Sequence, residues 1–146
     1  MRKINNIISF IFLFTIFGCK MNISQTDVAK LNHFAIIEYN PNEKFPKFES
    51  AQATNLTYEE IKKLEFIIMP KIQKNLKKHK YFRQYIAAIN SSGEKFVWIN
   101  FFCIEYYEAS HETFIMEAAD GGDCFFEVKV NLTKKDCYFY KENMEG

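Results

Sequence analysis

The chain is poor in the residues that make a polypeptide loose or heavily stapled. Five Gly and three Pro in 146 residues exclude a collagen-like or linker-like chain. Four Cys are too few for a disulfide-dense scaffold. Neither sign of charge dominates: the formal net charge is +1, which argues against a nucleic-acid or general polyanion binder. No apolar run approaches the roughly 20 residues that a spanning helix needs. What is present is core-forming material, 48% hydrophobic and 17% aromatic residues, which a disordered chain lacks. The length suits one domain.

The first residues read as an address. Met1-Arg2-Lys3 is a basic start, Ile7 to Phe17 is apolar apart from Ser9 and Thr15, and Gly18-Cys19 follows. That is the three-part pattern of a secretory leader. Ile16-Phe17-Gly18-Cys19 resembles a bacterial lipobox. The resemblance implies that residues 1–18 are a lipoprotein signal peptide, that Cys19 is acylated, and that the domain sits outside the cytoplasm in the cell envelope. Acyl chains on one Cys would anchor the protein without a spanning helix. Loss of Arg2 and Lys3 with the leader leaves 17 basic against 18 acidic residues. The polar residues 19–30 then form the lipidated Cys and a tether, and residues 31–146 form a single domain.

Within that domain Phe34 to Tyr39 reads as a strand closed by Asn40-Pro41-Asn42. Glu43 to Asn55, with Pro46, reads as a loop pinned by Phe45 and Phe48. Thr57-Tyr58-Glu59-Glu60 is a capping box. Ile61, Leu64, Ile68, Ile72 and Leu76 follow at spacings of three or four, the stripe of an amphipathic helix. Glu59 and Glu60 open it and Lys77, Lys78 and His79 close it, as the helix dipole favours. Pro70 should kink the helix or split it near Met69.

Tyr81 to Asn90 is aromatic and apolar, and Asn90 to Glu94 is a turn cluster. Lys95 to Tyr106 is the most strand-like stretch. Phe96, Trp98, Asn100 and Phe102 share one face, and Val97, Ile99, Phe101 and Cys103 the other. Two apolar faces predict a central strand, either covered on both sides or paired with another protein. Phe114-Ile115-Met116 is a candidate strand start, and Asp120-Gly121-Gly122-Asp123 is a turn. Cys124 to Asn131 alternates with Phe126, Val128 and Val130 inward. A hairpin turn at Leu132 to Lys135 leads to a last strand, Asp136 to Tyr140.

The expectation is an α+β domain, one helix packed on a curved antiparallel sheet of four to five strands. This order resembles the cystatin-like arrangement, without the inhibitor loops that would imply protease inhibition. Val97-Trp98-Ile99-Asn100 and Asp120-Gly121-Gly122-Asp123-Cys124-Phe125-Phe126 resemble segments of small lipoproteins of Bacteroidota, which supports the envelope location and transfers no activity.

Candidate chemistry is sparse. An extracytoplasmic compartment permits disulfides. Cys103 and Cys124 fall near the ends of neighbouring strands and are the expected bridge. Cys137 should lie opposite Val130, out of register with Cys124. There is no CxxC, HExxH, GxSxG, SxxK or Walker pattern, so no catalytic residue, metal ligand or cofactor is assigned. A metal site would need His111 to meet Asp120 or Asp123. The N-x-S/T triplets at Asn22, Asn55, Asn90 and Asn131 carry no meaning in a bacterial chain.

Two patterns stand out. Nine Lys/Arg lie between Ile61 and Lys95, whereas Phe96 to Val128 holds seven acids and no Lys or Arg. The expectation is a basic helix lying over an acidic sheet edge, each neutralising the other; the alternative is two faces of opposite sign, one for anionic lipid or polysaccharide and the other for a basic partner. The second pattern is a surplus of aromatics: Phe125, Tyr106, Tyr107, Tyr138 and Tyr140 exceed what one small core can take, as in recognition surfaces. A protein- or glycan-binding module fits best. A structural envelope component comes next, and a small hydrolase last.

Overall fold

A computed structural model describes residues 33–143. The lipobox, Cys19 and the tether lie outside the described residues.

The elements run β1 (Phe34–Ile36), β2 (Ala51–Ala53), α1 (Tyr58–Leu76), β3 (Tyr81–Asn90), β4 (Lys95–Cys103), β5 (Phe125–Asn131) and β6 (Asp136–Glu142). One helix packs on one open sheet, an α+β domain. The sheet has six strands, more than the four to five expected. β3, β4, β5 and β6 form an antiparallel ladder in chain order. Beyond it, β1 and β2 share the free edge of β3: β1 beside Arg83–Tyr85 and β2 beside Ala88–Asn90. β1 runs parallel to β3, which corrects the wholly antiparallel expectation. Parallel pairing needs a long crossover, and here β2 and α1 supply it. β2 sits in the stretch read from sequence as loop.

The helix forms where the capping box placed it. Thr57 accepts from the Glu60 N–H at 3.3 Å, and Glu60 accepts from the Thr57 N–H at 2.9 Å. Burial favours the neutral Glu60 carboxyl, but hydrogen bonds from Lys95 and Thr57 outweigh it and hold its pKa below the usual carboxylate value. Thr57→Ala is expected to destabilise the domain by about 1 kcal/mol, read by urea denaturation. An unchanged midpoint would mean that the cap is not holding the first turn.

Pro70 neither splits nor shortens the helix, which runs unbroken to Leu76. Pro70 and Phe66, the residue whose carbonyl loses its intrahelical donor, are both exposed, so water can satisfy that oxygen.

The inward stripe of α1, Ile61, Leu64, Ile68 and Ile72, is almost completely buried against Val97, Ile99, Phe101, Phe126, Val128 and Val130. Phe101 and Phe126 stack at 4.3 Å. A polar group crosses this layer: the Tyr85 hydroxyl donates to Glu65 of α1 at 2.5 Å, and Arg83 lies 3.4 Å from the same carboxylate. Burial, reinforced by the Glu65 charge, pushes the Tyr85 phenol well above its ordinary pKa.

The other face of the sheet is also covered, as the two apolar faces of β4 predicted. Phe82 and Phe102 pack under Tyr107 and Met116, and Ile86 and Trp98 pack under Tyr39, Phe48 and Ile115. The cover comes from two segments, residues 37–51 and the 104–124 segment, which lies across the sheet as a strap. Phe114–Met116 is not a strand: it lacks ladder bonds and is held by side chains of the sheet. The 120–123 turn forms as expected. Gly121 has φ +114°, and a Cβ there would come within 2.5 Å of the Phe125 ring.

Candidate functional site

The outer face carries a cleft of about 230 Å³ between the two covering segments and the β4–β5–β6 strands. Trp98 and Asn100 of β4 and Glu127 of β5 form its floor, Lys44 and Phe45 one wall, and Ile115 to Ala118 the other, with Lys141 and Asn143 at its end. Alternation in the strands puts these residues outward while Val97, Ile99, Phe126 and Val128 face the helix.

The strap wall is fixed by buried amides. Gln84, with no exposed surface, donates to the carbonyls of His111 and Phe114, each at 2.7 Å, and accepts from the Met116 N–H at 2.9 Å. Asn100 donates to the Gln84 side chain at 3.0 Å and to the Met116 carbonyl at 2.7 Å. Asn143 donates to the Ala118 carbonyl at 2.7 Å. Two polar residues in otherwise apolar strand interiors thus replace a ladder in positioning the strap.

On the floor, the Trp98 indole N–H donates to Glu127 at 2.5 Å. Phe45 meets the Trp98 ring edge-on at 5.6 Å. The Lys129 ammonium lies 5.6 Å from the Phe45 ring centre and 5.0 Å from that of Phe139. Along the same face Tyr138, half exposed, meets Phe96 edge-on. Rings, carboxylate, ammonium groups and amides therefore line one opening, a mix suited to holding a polar ligand with apolar faces.

A second cluster lies at the C-terminal end of α1. Cys103 and Cys124 form a disulfide pair with Cα atoms 4.9 Å apart, the bridge expected from sequence. Cys137 is opposite Val130 and is the free cysteine among the described residues. Lys78 donates to Asp123 at 2.5 Å, His79 lies 3.2 Å from the same carboxylate, and the Tyr81 hydroxyl donates to the Asp123 carbonyl at 2.7 Å. The Lys78 hydrogen bond holds the Asp123 carboxyl below its usual pKa. It is His79, not His111, that reaches Asp123. His111 accepts from the Glu108 N–H at 3.0 Å and lies edge-on to Phe102. Ligand atoms of His79, Cys103, Glu105 and Cys124 all fall within 4.8 Å of one another. With both sulfurs in the disulfide, no thiolate is left to bind a metal.

The charge segregation does not resolve into mutual neutralisation. Among the described residues, Lys78 and His79 with Asp123 are the ion pairs joining the basic and acidic stretches. Lys62, Arg83, Lys95 and Lys134 pair with Glu59, Glu65, Glu60 and Glu94 instead.

No protein-family model matches the chain, and no curated protein or solved structure matches it. The cleft could not have been found from sequence, because its walls come from two loops distant in the chain, one of them held by Gln84 and Asn100. The one visible sign was an Asn among the aromatic outward residues of β4.

Proposed function

We propose that the protein is a lipid-anchored, extracytoplasmic binding module of the bacterial cell envelope whose outer-face cleft takes a glycan. The leader ending in Gly18-Cys19 supports the anchor. The observation that carries the binding reading is the cleft itself. It sets the Glu127 carboxylate, the Asn143 amide and the Lys44 and Lys141 ammonium groups around the rings of Phe45 and Trp98. Sugars present the matching pair of features, hydroxyls for the polar groups and C–H faces for the rings.

The test uses the chain's single tryptophan, Trp98, which lies in the cleft floor. Titration with envelope oligosaccharides is expected to give a saturable change in its fluorescence. Phe45→Ala should weaken that binding about tenfold, the loss of one aromatic contact of about 1.4 kcal/mol. Unchanged emission and melting temperature across the saccharide panel would overturn the glycan assignment. A response to envelope peptides alone would reassign the cleft to a protein ligand.

A further inference from the structure

The outward face of α1 is made like a surface that meets something. Phe66 is 54% exposed and Met69 40% exposed, and Pro70 is exposed beside them. Single exposed apolar side chains are ordinary, but a contiguous group of them marks a surface that meets something. They are not scattered. Phe66 and Pro70 are four residues apart on the side of the helix opposite the buried stripe, and Met69 flanks them.

Lysines bracket this apolar centre. Lys63 lies one turn before Phe66, and Lys74 and Lys77 lie one and two turns beyond Pro70, all exposed. No carboxylate among the described residues is within salt-bridge distance of these three lysines. The acids on the same helix are engaged: Glu59 by Lys62, Glu60 by Lys95, and Glu65 by Arg83 and Tyr85. The face is therefore cationic in effect, and about 16 Å separates Lys63 from Lys74 along the axis.

Exposed Glu108, Glu112 and Glu117 belong to the strap that covers the opposite face of the sheet. An anionic surface would attract the lysines of the helix side and repel these strap carboxylates, although Lys44, Lys129 and Lys141 also lie on the outer face. That leaves the cleft, which is on the strap side, open to solvent.

We propose that this face of α1 docks the domain flat on the anionic surface of a phospholipid bilayer, with Phe66 and Met69 entering the headgroup region and Lys63, Lys74 and Lys77 pairing with lipid phosphates. An apolar centre with a lysine border is the composition of an interfacial helix. Docking rests on the lipid-anchored reading for its proximity to the membrane, and it orients what the anchor only tethers.

The test distinguishes attachment from docking. Full-length protein is mixed with vesicles of phosphatidylcholine alone or with 30% phosphatidylglycerol, built from plain or brominated lipid. Sedimentation reads attachment, and quenching of tryptophan by bromine reads contact. The wild-type chain serves as control because Trp98 is buried on the far side of the sheet. Phe66→Trp is expected to lose at least half of its added emission in brominated anionic vesicles, with little loss in neutral ones. Met69→Trp should behave alike, so the result does not depend on one variant. Adding Lys63→Gln and Lys74→Gln should lower the docked-to-undocked ratio about 25-fold, at about fivefold per lysine, and high salt should do the same. Vesicle-bound protein whose Phe66→Trp and Met69→Trp emission is the same in plain and brominated lipid overturns docking and leaves the anchor standing. Protein that stays in the supernatant with both compositions overturns both readings.

Discussion

Reduction of the Cys103–Cys124 bridge lowers the unfolding free energy of the domain by about 3 kcal/mol. The bridge closes a loop across a sequence separation of 21, and in the chain-entropy account a loop of that size restricts the unfolded state by about that amount. For a domain of this size the melting temperature should fall by about 10–15 °C. The bond joins the end of β4 to the residue before β5, so it also fixes both ends of the strap to the sheet. Chemical denaturation with and without a thiol reductant measures the effect. Cys137→Ser supplies the control, since its thiol is free and should not contribute. If that variant lost its sensitivity to reductant, the assigned pairing would be wrong.

The second large effect belongs to Gln84. Gln84→Met keeps the volume but removes the three hydrogen bonds that tie the middle of the strap to β3, leaving the Tyr81–Asp123 bond at its end. It leaves the Met116 N–H and the Asn100 amide without their shared acceptor. Unsatisfied buried donors cost roughly 1–3 kcal/mol each, so the expected loss is about 3–4 kcal/mol. Hydrogen exchange should place it: the Met116 amide should lose protection while the β3–β4 ladder keeps its own. A loss below about 1 kcal/mol, with Met116 still protected, would show that the Gln84 hydrogen bonds are not what holds the strap.

Both predictions concern the strap, and the strap marks where sequence reading stopped. Local signals were readable. The Thr57–Glu60 box located α1, the stripe from Ile61 to Ile72 gave its buried face, and strict alternation gave the two faces of β4 and the inward side of β5. The opposition of Cys137 and Val130 followed from hairpin register alone. What failed depended on distant partners. β2 has three residues, too few for a period, and exists through pairing with β3, some 35 to 39 positions away; β1 was read as a strand, but its parallel pairing with β3, 49 positions away, was not legible. Phe114–Met116 has the composition of a strand, but Gln84 and Asn100 take the bonds that a neighbouring strand would have made. His111 and Asp123 were candidates to meet, yet the end of α1 brings His79 to Asp123 instead. Charge counts along the chain showed segregation correctly. They could not show that most of the basic residues in ion pairs would find acids outside the acidic stretch.

The open edge at β6 has a consequence at high protein concentration. Its outer row of backbone donors and acceptors has no partner among the described strands, and a free ladder of this kind invites another chain to extend it. Several features make that extension unfavourable. The register shift between Lys129 and Val130 breaks the regular spacing that a second strand would have to follow. Asp136, Lys141 and Glu142 put charges at both ends of the edge, so an incoming copy must match them or bury them. Crowded neighbours can therefore collide edge to edge without polymerising, and the aromatic residues of β6 can remain exposed without becoming a seed for aggregation.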